Sequence, residues 1–171
     1  HTRADDSVAR VLGERALLLR RSRGFVPRAV ALSEALPPVL AVGAELKNTV
    51  CLLRGDRAFF SPHIGDLRNC ETYAAGIAAI KQLSELLQTT PVAVAHDLHP
   101  DYLSTRFAVE TSGRPLVGVQ HHHAHLASCL AEHGVTAPAL GVIFDGLGFG
   151  GDGSLWGGEF LVGDCGGYER V

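Results

Sequence analysis

Three features of this 171-residue sequence predict an α/β fold. Short apolar runs open the chain, apolar runs then alternate with helical stripes, and a strand-turn-strand pattern starts over at Ala139. The order read along the chain is β-β-β-α-β-α-β-α, then β-turn-β. Three antiparallel strands followed by alternating helices and parallel strands make a ribonuclease-H-like lobe. The restart predicts the beginning of a second lobe, as in two-lobed architectures of the actin/Hsp70/sugar-kinase type.

Each element has its own signal. Residues 1–30 read as strands with a turn at Leu12–Gly13–Glu14, and "RALLLRR" reads as a buried strand because an apolar run is flanked by charge. "ALSEALPPVL" carries a Pro-Pro break, a candidate boundary. "VLAVGAE" (39–45) reads as a buried strand, and "TVCLLRGDRAFFSP" (49–62) as a hairpin turning at Gly55–Asp56. Over 70–88, Tyr73, Ile77, Ile80, Leu83 and Leu87 recur at three- and four-residue spacing, the stripe of an amphipathic helix. "PVAVAHDL" (91–98) is a strand, 101–113 a helix closed by Gly113, "PLVGVQH" (115–121) a strand and 122–134 a helix ended by Gly134. "ALGVIFDG" (139–146) and "SLWGGEFLVGD" (154–164) read as strands.

Composition bounds the function. Hydrophobic residues make up 46% and charged residues 19%, which suits a chain with a core. The formal net charge of −3 gives no basic field for nucleic acid or an anionic membrane. Arg20, Arg21 and Arg23 form only a short basic run, a solvated or phosphate-facing strand end. Cys51, Cys70, Cys129 and Cys165 lie far apart without a CxxC pair, which argues against a zinc ribbon or a disulfide scaffold; two fall in apolar stretches, so they read as buried free thiols in a reducing cytoplasm. No apolar run is long enough to span a bilayer. The chain opens on His1 and contains no methionine, so both ends read as cuts.

The densest chemistry lies in "VQHHHAHLAS", residues 119–128. On a helix, His121 and His125 stand four apart and share a face with Ser128 and Glu132. His123 falls on the apolar side as a packed, hydrogen-bonded residue, and His122 and His133 lie on the flank. His122 stands where a zincin motif requires its general-base Glu, so that motif is excluded. A lone pair at this spacing is common on exposed helices. What marks this one is Asp145, which ends the next strand and so comes to the same edge of the sheet. His121, His125 and Asp145 with open positions suit zinc or iron. In "FDGLGFGGDGSLWGGEFL" (144–161), Gly146, Gly148 and Gly150 permit a tight phosphate-hugging turn, or only a bulged hairpin. Asp152 and Glu159 are further acids, and Trp156 reads as core.

Taken together, "DDSV", "LLRRSRGFVP", "AVGAELKNT", "SPHIGDL", "AHDLHPDYLST", "VQHHHAHLASCLAEH" and "DGLGFGGDGSLWGGEFL" resemble the HypF carbamoyltransferases of nickel–iron hydrogenase maturation over nearly the whole chain. More distant likenesses are the TsaD-like tRNA-modification proteins and the TobZ/NodU O-carbamoyltransferases. The resemblance implies that ATP and carbamoyl phosphate form carbamoyl adenylate in a YrdC-like domain. A TsaD-like domain then passes the carbamoyl group to the C-terminal cysteine of HypE. Residues 1–32 would be the tail of the YrdC-like domain and a linker, 33–138 the first ribonuclease-H-like lobe, and 139–171 the truncated start of the second. It further implies that His121, His125 and Asp145 carry a metal. Lys47, Asn48 and Thr49, with the turn at Gly146, Gly148 and Gly150, would face the adenylate phosphate. His63 and Asp66 would be site residues. The competing readings are a TobZ/NodU-type O-carbamoyltransferase, a sugar-kinase-like phosphotransferase and a non-enzymatic metal-binding module.

Overall fold

The computed structural model describes residues 5–171; the first four residues of the predicted N-terminal strand region lie outside the described residues. β1 (Val8–Leu12) and β2 (Arg15–Arg20) pair antiparallel around Gly13, whose φ is +60°, at the expected turn. β2 is not buried, however. Only Leu18 is half-covered and the rest of the strand is exposed. A two-stranded ribbon buries a face only where a further layer lies against it, so an apolar run flanked by charge does not by itself fix burial.

The main sheet has the order β3-β5-β4-β6-β7, with β3 (Val30–Leu36), β4 (Val39–Ala41), β5 (Cys51–Phe60), β6 (Ala93–Asp97) and β7 (Leu116–Val119). β5 pairs antiparallel with β3 and β4, whereas β4, β6 and β7 run parallel. β5 is extended throughout but is not straight. The Ser61 N–H donates to the Val50 carbonyl at 2.9 Å, and a straight strand would hold those residues roughly 36 Å apart at about 3.3 Å per residue. The segment therefore folds back on itself, and Gly55 has a φ of +59° where the Gly55–Asp56 turn is expected. β4 pairs with the first arm, at Cys51 and Leu52, and β3 with the turn and second arm, at Gly55, Arg57 and Ala58. The Pro37–Pro38 break thus lets the chain pass from one flank of the hairpin to the other. β3 runs across position 32, so one sheet takes residues from both sides of it.

Helices join the parallel strands. α1 (Cys70–Leu87) starts where the Asn69 side chain accepts from the Glu71 and Thr72 N–H groups, and ends at Gln88 in the left-handed region. Its buried face is Thr72, Gly76, Leu83 and Leu87. Tyr73 and Ile80 pack at the edge of the core, and Ile77 is 36% exposed, so the helix is turned slightly from the stripe read in the sequence. α2 (Leu103–Thr111) gives way to Gly113, and α3 (His121–His133) is capped by Gly134 in the left-handed conformation. Leu40, Leu52 and Val94 from the sheet and Val50 just before β5, with Leu83 and Leu87 from α1 and Ala108 from α2, form the main core.

A second sheet follows, of order β12-β11-β8, built from β8 (Ala139–Ile143), β11 (Glu159–Gly163) and β12 (Tyr168–Arg170). Between β8 and β11, β9 (Gly148–Phe149) pairs with β10 (Leu155–Trp156). The expected strand over 154–164 is thus two strands parted at Gly157–Gly158, and β8 stops two residues short of Asp145. Leu126 and Leu130 of α3 pack with the fully buried Leu161, covering the inner face of this sheet. No helix among the described residues is long and apolar enough to cross a membrane. The cysteines correct a sequence expectation: all four are free, but Cys70, Cys129 and Cys165 are exposed and only Cys51 is half-buried.

Candidate metal centre

α3 begins where β7 ends because Gln120 caps it. The Gln120 Oε1 accepts the His123 N–H at 3.0 Å, so the helix starts at His121. This places His121 and His125 one turn apart at the carboxyl end of the parallel strands, with ring centroids 4.9 Å apart. Asp145 arrives from the loop after β8. Its Oδ2 lies 2.6 Å from His121 Nε2 and 3.4 Å from His125 Nε2, while its Oδ1 accepts the Gly146 N–H at 2.8 Å. One ligand atom from each of the three residues lies within 4.8 Å of the others.

A fourth residue, missed in the sequence, completes the group. Asp97 ends β6, and its Oδ2 lies 2.7 Å from His121 Nδ1, with the side chain only 5% exposed. The parallel register that pairs Asp97 with Val119 puts it beside the start of α3. A carboxylate at the end of the neighbouring strand, in "AHDLHP", was the available signal.

His121 thus has a carboxylate oxygen at each ring nitrogen. A neutral imidazole has one N–H, so the second contact requires a further positive group, either a proton or a cation. The hydrogen bond to Asp97, against burial, and the charges of Asp97 and Asp145 raise the His121 pKa above its ordinary value. Burial and the neighbouring His121 lower that of His125. Burial opposes ionisation of Asp145, but the Gly146 N–H and the two imidazoles outweigh it and hold the carboxyl below its usual range. Two imidazole nitrogens and one carboxylate oxygen converging in this way fit a divalent cation such as zinc or iron.

The other histidines have structural positions. His122 is fully buried rather than on the flank, with Nδ1 3.1 Å from Gln120 Nε2. The helix turns 100° per residue, so the neighbour of a half-exposed His121 swings into the joint with the second sheet. His123 is packed as expected, its Nε2 2.8 Å from the Asp164 carbonyl.

The expected phosphate-facing residues divide. Lys47, Thr49 and His63 line a cavity of about 550 Å³ together with Arg20 and Arg21. Thr49, Phe60 and Ser128 also line a second cavity of about 400 Å³, which reaches Asp97, His121 and His125. Burial and the charges of Arg20 and Lys47 keep the His63 pKa low, against the pull of Asp5. Asn48 is turned inward instead. It is 2% exposed, and its amide donates to the carbonyls of Val42 and Ala44, which pins the turn after β4. Asp66 lies outside both cavities and is held by Arg68 at 2.6 Å, which brings its carboxyl down to about 2. The glycine-rich segment is a hairpin, with the Gly150 N–H donating to the Ser154 carbonyl. A Cβ on Gly148 would lie 2.5 Å from the His122 ring, and one on Gly150 2.2 Å from Trp156 Nε1. Their bareness serves packing, and of the three glycines only Gly146 faces open space. Asp152 accepts from Ser154 and Trp156 within the hairpin, and Glu159 is buried against Arg170 at 2.6 Å. Trp156 is buried under the Arg170 guanidinium.

A mixed-sheet α/β lobe joined by one shared helix to a second sheet, with two imidazoles and a carboxylate at the junction, defines a two-unit protein with a candidate metal centre at the joint. The chain belongs to the HypF Kae1-like family. The family model described as the HypF Kae1-like domain matches residues 34–132, and one described as the carbamoyltransferase Kae1-like domain, second subdomain, matches 141–171. Carbamoyltransferase HypF2 of Cupriavidus necator is 53% identical over 99% of this chain and 22% of its own length. Carbamoyltransferase HypF of Rhizobium leguminosarum is 46% identical over 99% of the chain and 22% of its own. The crystal structure of full-length HypF in a phosphate- and nucleotide-bound form superposes with a TM-score of 0.94 at 43% identity, covering 99% of this chain and 22% of that one. HypF of T. kodakarensis gives a TM-score of 0.89 at 36% identity, covering 99% and 23%. The family is one of transferase enzymes, and this chain spans about a fifth of the length of these relatives.

Proposed function

We propose that this chain is the transfer-site portion of a carbamoyltransferase that moves a carbamoyl group from carbamoyl adenylate to the C-terminal cysteine of HypE during nickel–iron hydrogenase maturation. The adenylate would be made from ATP and carbamoyl phosphate by a YrdC-like domain, of which residues 1–32 are the tail. Residues 33–138 form a ribonuclease-H-like lobe, and 139–171 open its second lobe. The arms of β5 with β4, β6 and β7 support that reading, because three antiparallel strands precede two parallel ones. The work belongs to the cytoplasm, with small-molecule substrates and a protein acceptor, and involves neither nucleic acid nor membrane.

The observation that carries the proposal is the convergence of His121, His125 and Asp145 beside a cavity of about 400 Å³. These three residues would hold zinc or iron. When bound, the cation supplies Lewis-acid polarisation of a phosphate or carbamoyl oxygen. The chain's own residues do the rest. Lys47 and His63 offer positive and hydrogen-bonding groups to a phosphate in the adjoining cavity. Thr49 and Ser128 stand where the two cavities meet. Cys51, Phe60, Val119 and Ala124 form walls that limit water, the competing nucleophile. The acceptor thiolate attacks the carbamoyl carbon, the S–C bond forms, the C–O bond to the adenylate breaks, and AMP leaves with the electron pair. None of this chain's cysteines is required, and burial pushes the Cys51 thiol up to about 12, far from a nucleophile's range.

The test uses the full-length protein carrying this chain. A His121→Ala, His125→Ala double variant should lose the metal by elemental analysis and stop carbamoylating HypE, read as mass added to its C-terminal peptide. Carbamoyl-phosphate-dependent ATP–pyrophosphate exchange should survive, because it belongs to the YrdC-like domain. The 171-residue chain alone should show no such exchange. Normal HypE carbamoylation by the double variant would refute the proposal.

A further inference from the structure

Asp97 stands behind the candidate centre and touches it only through His121. Its Oδ2 is 2.7 Å from His121 Nδ1, on the side of the ring away from Asp145. Its Oδ1 accepts the His99 N–H at 2.8 Å, and its carbonyl accepts the Thr105 hydroxyl at 3.0 Å. The carboxylate is therefore oriented from both ends, on the last residue of a strand paired in register with β7. A carboxylate is acceptor-only, so each of the two facing His121 needs either an N–H or a cation between; once a cation fills the gap shared with Asp145, the one N–H of the ring is left to face Asp97. That leaves the lone pair of a neutral ring on Nε2, which points at Asp145 and the shared gap. His125 differs: among the described residues no carboxylate contacts its Nδ1.

We infer that Asp97 is a positioning residue that keeps the His121 proton on Nδ1 and its Nε2 free to ligate a divalent cation. This rests on the reading that His121, His125 and Asp145 form a metal centre. Partners of this kind fix ring orientation and tautomer and raise ligand basicity. An asparagine of the same shape cannot do the same job here. If its oxygen keeps the His99 N–H, its amide donates to His121 Nδ1 and drives the ring proton onto Nε2. If it turns over, two N–H groups face each other at His99.

The test is zinc affinity, measured by competition with a chromophoric chelator in the full chain. Tight binding by the parent that is lost in His125→Ala establishes the centre itself, and absence of binding by the parent overturns that underlying reading. With the centre established, Asp97→Asn should bind zinc about ten- to a hundredfold more weakly, and Asp97→Glu, which restores a carboxylate, should recover part of the loss. An Asp97→Asn variant that folds and binds zinc as tightly as the parent overturns the inference while leaving the centre intact. If Asp97→Asn does not fold, nitrogen NMR of the zinc-loaded parent decides. Zinc on Nε2 with a hydrogen-bonded proton on Nδ1 of His121 supports the assignment, and zinc on Nδ1 overturns it.

Discussion

Gly148 shows how closely single atoms set the site. A Cβ there would lie 2.5 Å from Cε1 and Nδ1 of His122, a ring that is fully buried and held by Gln120. The ring cannot swing aside, so Gly148→Ala would displace the loop that carries Asp145. We expect a loss of about 1–3 kcal/mol, the usual cost of overpacking, and at least about tenfold weaker zinc binding with both histidines still present. Gly146→Ala, which meets open space, should leave stability and zinc affinity near parental values. Thermal melts and chelator competition on the two variants check both expectations. The cysteines give a second prediction. Burial raises the Cys51 pKa from its ordinary 9.0 to about 12, whereas Cys70, Cys129 and Cys165 are exposed. At pH 8, iodoacetamide followed by peptide mass spectrometry should find the three exposed thiols alkylated at least about ten times faster than Cys51. The same shift has a sign for folding. The folded chain holds this proton more tightly than the unfolded one, so the contribution to stability is full below pH 9 and declines as pH rises towards 12. At this scale the convergence of His121, His125 and Asp145 was legible in the sequence, because helix period is a local property and Asp145, although in the loop past β8 rather than on the strand, still falls at that edge of the sheet. Asp97 was not, since its contact depends on how β6 and β7 pair.

The helices and strands were legible where one element settles its own fate. Asn69 caps α1 with its own side chain. Asn69→Ala should therefore cost about 1 kcal/mol, read as a lower denaturant midpoint with an unchanged slope. Gly134 likewise ends α3 at the expected place. Legibility fails where the neighbour decides. "RALLLRR" has the composition of a buried strand, but among the described residues β2 pairs only with β1 and remains open to solvent. "SLWGGEFLVGD" has strand character at both ends, yet Leu155–Trp156 pairs with β9 and Glu159–Gly163 with β8 and β12, so the two glycines between them become the crossing from one ribbon to the other. Gly148 and Gly150 suggested a phosphate turn because bareness looks alike in sequence whether a ligand or a neighbouring ring, His122 or Trp156, fills the space.

Over the whole molecule, α3 belongs to both units. One side carries His121 and His125 toward the main sheet, and the other buries Leu126 and Leu130 against Leu161, Ala139 and Ile143 of the second sheet. That second core is small, with three buried leucines at its centre. Leu161→Ala should therefore cost about 2–5 kcal/mol and loosen residues 139–171 ahead of the main sheet. Asp145 is the ligand that ties the centre across the same joint, because it alone among the three candidate ligands comes from beyond β8. A cation held by all three binds the docked arrangement and not the loosened one. Zinc at a hundredfold excess over its dissociation constant would then stabilise docking by about 2.7 kcal/mol. Hydrogen exchange should accordingly slow in β8 and β11 when zinc is added, with little change in β4 and β6, whose stability comes from the main core. In Leu161→Ala the zinc effect on β8 and β11 should persist, because the ligands are intact. In Asp145→Ala it should vanish while His121 and His125 retain weak zinc affinity. Exchange in β8 and β11 that ignores zinc in the parent chain would mean that Asp145 does not ligate and that contacts other than a shared cation hold the two units together.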